Sequence, residues 1–141
     1  MNLKLMISGL MAIMLVIPGV ATAGGIIIIR NKSIAESKLD KNDIKNIYLG
    51  KKTTWSDNQK IVFVTQDDTG ISDEFLKEYV NKSASQFDSY WKAQVFSGKG
   101  TPPKSFASDS ELVQFVAQTK GALGYVSSNQ GLDNVKIMTV E

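Results

Sequence analysis

Residues 60–80, KIVFVTQDDTGISDEFLKEYV, set a nearly unbroken apolar run against a helically spaced one, with an acidic turn between them. Lys60 to Thr65 carry Ile, Val, Phe and Val with little polar interruption, the composition of a strand buried in a sheet. From Ser72 onward, Phe75, Leu76, Tyr79 and Val80 share one helical face. Ser72 reads as the helix cap, and Asp73 and Glu74 complement the positive end of the helix dipole in the first turn. A strand that feeds a helix through a short turn is the first half of a β-α-β unit, so this stretch points to an α/β domain.

The flanking segments extend the pattern. GGIIIIR, residues 24–30, places four isoleucines in a row, which suits a strand covered on both faces, as in a parallel sheet. Asp40, with Asp43 three residues on, is a variant capping box ahead of Ile44, Ile47 and Tyr48, and Gly50 closes that helix. Ser85 is expected to cap a further helix with Phe87, Trp91 and Val95 as one buried stripe. After the connector SGKGTPP, Ser108 and Glu111 form a capping box before Leu112, Val113 and Val116. Gly121 stops that helix, ALGYVS reads as a third strand, and Val135 to Val140 read as a fourth. Alternating strands and helices imply a largely parallel sheet flanked by helices.

Composition narrows the function. The chain has 141 residues, a formal net charge of +2, no cysteine and no histidine. Disulfides, thiolate metal sites, lipid anchoring through cysteine, a Ser-His-Asp triad and His-based zinc are all excluded. Charges of both signs are interspersed, without the basic stripe that nucleic-acid binding requires. No catalytic motif or cofactor motif is present, so a binding protein is expected and an enzyme is not. Residues 1–23 have the order of a secretory signal peptide: Lys4, an apolar run from Leu5 to Val20, then Ala21-Thr22-Ala23. Pro18-Gly19 interrupt the run, against a membrane anchor, which needs about 20 apolar residues. Cleavage after Ala23 would leave residues 24–141 as one exported α/β domain, with no membrane segment.

Three stretches carry a family resemblance: IKNIYLGKKTTWSD (44–57), YWKAQVFSGKGTPP (90–103) and SDSELVQFVAQTKGALGYVSS (108–128). Together, and in this order, they resemble segments of phosphate-type periplasmic binding proteins, in particular a short single-domain branch. The resemblance implies a single lobe of the type II periplasmic-binding-protein fold, a periplasmic location and an oxyanion bound near the carboxyl ends of the strands. It also implies a phosphate transporter permease or a sensor protein as partner. Where that family has Arg followed by Ser-Gly-Thr, this chain has Gln66-Asp67-Asp68-Thr69-Gly70-Ile71-Ser72.

The acidic turn then becomes the candidate site. Thr69, Gly70, Ile71 and Ser72 offer amides and hydroxyls at a helix start, and Ser127 and Ser128 follow the third strand at the same sheet edge. An EF-hand reading fails, because counting from Asp67 puts Gly70 at the fourth place where the sixth is required. Four hydrogen bonds to an anion contribute on the order of 6–12 kcal/mol, against an association cost of roughly 4–15. One lobe without an arginine clamp should therefore bind phosphate or a similar oxyanion weakly, unless another subunit, such as a homodimer partner, or another protein supplies a facing wall. The rival expectation is a sensory or interaction accessory protein that keeps the fold and has lost the small-molecule site. Lys51, Lys52 and Lys99 read as solvated cations that attract an anion only at long range, and Trp55 as a half-exposed side chain in a polar turn.

Overall fold

The computed structural model describes residues 25–141, and the expected leader lies outside the described residues. Seven strands and four helices follow in order: β1 (Ile27–Arg30), β2 (Lys38–Leu39), α1 (Lys41–Tyr48), β3 (Val62–Gln66), α2 (Thr69–Phe75), α3 (Ala84–Phe96), β4 (Lys104–Phe106), α4 (Asp109–Gln118), β5 (Ala122–Val126), β6 (Lys136–Ile137) and β7 (Thr139–Val140). A π-helical turn, Leu76–Val80, continues α2 until Asn81 takes left-handed φ.

The main sheet has the order β4-β3-β5-β1-β6, and β2 and β7 form a separate parallel pair. β3 runs parallel to β4 and to β5, whereas β1 runs antiparallel to both β5 and β6. Four strands thus point one way and β1 points the other. The isoleucine run is covered on both faces as expected, but its neighbours are not the parallel ones inferred for it. Coverage by helices makes such a run, and strand direction does not enter.

Alternation along β5 explains the layers. Leu123 and Tyr125 join Ile28, Ile44, Tyr48, Phe75 and Trp91 on one face, under α1, α2 and α3. Ala122 and Val126 join Ile29, Val64, Leu112 and Val116 on the other, under α4. Phe75 stacks on Tyr125 at 3.9 Å between ring centres, and Tyr48 meets Phe75 edge-on at 4.7 Å, so three elements share one aromatic joint.

Several local expectations are corrected. Ser72 is not the cap of α2; that helix starts at Thr69, and the Asp68 carboxylate accepts from the Gly70 and Ile71 amides. Ser83, not Ser85, caps α3, because Gln86 returns a bond to the Ser83 amide and completes the box. Val95 is 45% exposed, so the buried stripe of α3 ends at Trp91. Ser108 does cap α4, while Glu111 accepts instead from the Ala107 amide. The stretch expected as one terminal strand divides into β6 and β7, which pair in different sheets. Asp40 caps α1 through the Asp43 amide, as expected. No helix among the described residues is long and apolar enough to cross a membrane.

Candidate functional site

The carboxyl ends of β3 and β5 lie at one edge of the main sheet, and the starts of α2 and α4 face each other across them. Between them lies a cleft of about 470 Å³, bordered by Gln66, Asp68, Ile71, Ser108, Asp109 and Ser127. The two distant segments expected to converge do so: Ile71 and Ser127 border the same space.

The floor is a tight polar network. The Ser72 hydroxyl donates to the Gln66 carbonyl at 2.5 Å and meets the Tyr125 hydroxyl at 2.7 Å. The Gln66 amide donates to the Tyr125 hydroxyl at 3.1 Å, and Gln66 Nε2 donates to the Tyr125 carbonyl at 2.9 Å. All three residues are buried, and burial pushes the Tyr125 phenol up despite its bonds with Ser72 and Gln66. Ser72 therefore faces inward, its hydroxyl committed beneath the cleft. The expectation for Ser72 was a helix cap whose hydroxyl could also donate to an anion, and the bonds to Gln66 and Tyr125 occupy that hydroxyl instead.

Above this floor, one carboxylate gathers most of the remaining donors. Asp109 Oδ2 accepts from the Ser127 amide at 3.1 Å, the Ser127 hydroxyl at 2.8 Å and the Ser128 amide at 3.1 Å. Asp109 Oδ1 accepts from Gln66 Nε2 at 2.5 Å. Asp68 takes the Gly70 and Ile71 amides in the same way at the start of α2. Thr69 is exposed at the first turn of α2, outside the cleft border. Asp109 was absent from the sequence-based candidates. Its one signal was its place in the first turn after the Ser108 cap, where an acid ordinarily answers the helix dipole.

Among the described residues no lysine or arginine borders this cleft, whereas Asp68, Glu74 and Asp109 do. Among the described residues no three acids gather into a metal-sized group. Lys52 and Lys99, considered as attractors of an anion, border a different cleft of about 720 Å³, over Phe63, Trp91 and Phe115.

The sheet, mostly parallel and flanked by helices on both faces, places its crevice beyond the carboxyl ends of its strands, as open α/β folds do. The chain belongs to the PBP superfamily, whose domain model matches residues 20–139. Solved structures agree. A protein from Clostridium perfringens assigned as a phosphate ABC transporter substrate-binding protein, solved with bound phosphate, is 28% identical at TM-score 0.63, over 82% of this chain and 44% of that one. PstS from Borrelia burgdorferi, at 15% identity and TM-score 0.64 over 82% of this chain and 47% of that one, shares the fold. So does an ABC-type phosphate transport receptor from Vibrio cholerae, at 20% identity and TM-score 0.53, over 82% and 46%. The chain spans about half the length of these solved relatives. No curated protein matches it.

Proposed function

We propose that this chain is an exported binding module that captures phosphate or a similar tetrahedral oxyanion reversibly, and weakly, at the cleft between α2 and α4. One observation carries the reading: the Ser127 and Ser128 amides, the Ser127 hydroxyl and Gln66 Nε2 already converge on an anionic oxygen pair, that of Asp109. Two backbone amides and a hydroxyl aimed at one oxygen, with a carboxamide on the other, form an oxyanion-sized nest. Likeness to a phosphate-holding protein supports phosphate as the first ligand to try. On the second wall the Gly70 and Ile71 amides are held by the Asp68 carboxylate and Thr69 lies outside the border, so in this reading the Ser127–Ser128 side carries the capture. Ser72 keeps the floor in place. In this reading residues 1–23 are a cleaved leader, the module works in the periplasm without catalysis, and an ABC transporter permease or a sensor receives it.

A second reading has its own support. Among the described residues the cleft border holds three acids and no cation, which repels a phosphate dianion. That favours an accessory protein with the fold retained and the small-molecule site lost. Phosphate titration followed by amide NMR separates the two. Capture predicts saturable shifts at Ser127 and Ser128 in the millimolar range, reproduced by sulfate more weakly and absent with a neutral sugar. Ser127→Ala, which removes one charge-directed hydroxyl bond of about 1.5–3 kcal/mol, should weaken binding on the order of tenfold or more. Flat spectra to tens of millimolar, or shifts confined to other residues, would leave the accessory reading. Light scattering in the same buffer tests whether phosphate brings a second copy to form the facing wall.

A further inference from the structure

We propose that Asp109 is a built-in competitor of the oxyanion: its carboxylate occupies the nest, so that an external anion binds only by displacing it. This rests on the oxyanion reading above and adds the element that governs access to the site.

Geometry is the first argument. A capping acid in the first turn of a helix ordinarily answers amides of its own helix. The own-helix cap of α4 is supplied by Ser108, whose hydroxyl accepts from the Glu111 amide at 3.2 Å. Asp109 makes none of its four bonds within α4. All four donors come from β3 and from the turn after β5, at sequence separations of 43, 18, 18 and 19. The carboxylate therefore reaches out of its helix across the cleft border and takes up donors that α4 does not need.

Capacity is the second argument. A phosphate oxygen pair and a carboxylate oxygen pair demand the same donors at similar distances. Ser127 and Ser128 cannot serve both at once. An incoming anion must break the Asp109 bonds and also meet the displaced charge, together with Asp68 and Glu74 on the border. Both effects act against ligand in the native chain. Removal of the one side chain frees two amides, a hydroxyl and a carboxamide while leaving the backbone that presents them.

The test compares the native protein with Asp109→Ala and Asp109→Ser at fixed ionic strength. It reads thermal midpoint and the Ser127 and Ser128 amide signals against inorganic phosphate. A purely structural tie between α4 and the 127–128 turn predicts a lower midpoint for the variants and no response to phosphate. Competition predicts a lower midpoint that phosphate restores, through mass action on the folded state. It also predicts saturation at phosphate concentrations at least tenfold below those the native protein needs. Asp109→Ser retains a polar side chain at the first turn should Asp109→Ala fold poorly. Equal phosphate dependence of native protein and folded variants overturns the competition and leaves the oxyanion reading standing. Absence of any response in native protein and folded variants alike removes the oxyanion reading, and the competition with it.

Discussion

Gly121 stands where three segments meet. Its φ is +78°, its amide donates to Ser33 Oγ at 3.2 Å, and its carbonyl accepts both from the Val62 amide and from Trp55 Nε1, each at 3.0 Å. A Cβ at this position would collide with the Lys60 carbonyl oxygen, which is backbone and cannot swing aside. Gly121→Ala thus combines the left-handed penalty, about 1–2 kcal/mol, with overpacking of about 1–3. A loss of about 2–5 kcal/mol is expected, read as a lower urea midpoint with an unchanged slope. The helix-stop reading of Gly121 captured its conformation and not its contacts. Trp55 shows the other side of the same joint. In its polar turn it reads as half-exposed, yet it is 2% exposed and anchored to a carbonyl 66 positions away. No local window contains that partner. With Trp91 at 6%, both tryptophans of the chain are shielded, so iodide should leave native fluorescence almost unquenched until the protein unfolds.

The third helix separates what a short window can resolve from what it cannot. Its existence and buried positions, Phe87 and Trp91, follow from apolar spacing alone. Its start does not, because Ser83 and Ser85 are both cap-forming residues two positions apart. Asn81, left-handed at φ +57°, ends the preceding π turn, and the chain re-enters helix as soon as Gln86 can close the box on Ser83. Ser83→Ala should therefore cost about 1 kcal/mol, as cap removals do, while Ser85→Ala should stay within about 0.5, as for an exposed surface site. Parallel urea melts of the two variants decide between the boundaries. Short strands were equally hard to read. β4 is three residues behind a Pro-Pro connector, and β6 and β7 are two residues each, held by pairing with distant strands. Such pieces have no period of their own to detect. At the site, the turns of α2 and of Ser127-Ser128 were legible as one sheet edge, because strand order in an α/β sheet gathers them there. The Asp109 bonds were not, since first-turn acids are common and point anywhere.

Across the whole domain, the layers are joined by buried phenols, and these add an alkaline pH dependence to that of the exposed charges. Tyr48, fully buried, donates to the Val64 carbonyl at 2.9 Å and lies against Phe63, Phe75 and Tyr125. Burial, reinforced by Tyr125, holds its phenol well above the ordinary value of 10.0. Tyr125 is raised too, chiefly by burial. A group with a raised pKa in the folded state retains its proton more firmly there than in the unfolded chain. Its contribution is therefore complete below the unfolded value near 10 and is lost as pH rises through the folded-state values. Stability should hold through neutral pH and fall steeply in the alkaline range. Lys41 and Lys92, exposed and paired with Glu78 and Asp88, titrate with the same sign, so the slope of the native protein alone does not single out the phenols. Tyr48→Phe does. It removes one hydrogen bond of about 0.5–1.5 kcal/mol and retains the ring packing, which lowers stability modestly at pH 7. It should also flatten the decline above pH 10, so that the stability difference between native and variant narrows as pH rises. Denaturant midpoints across the alkaline range measure this directly. A constant offset between the two proteins at every pH would mean that the phenol is free to ionise in place, and that the aromatic joint is not the closed centre its burial indicates.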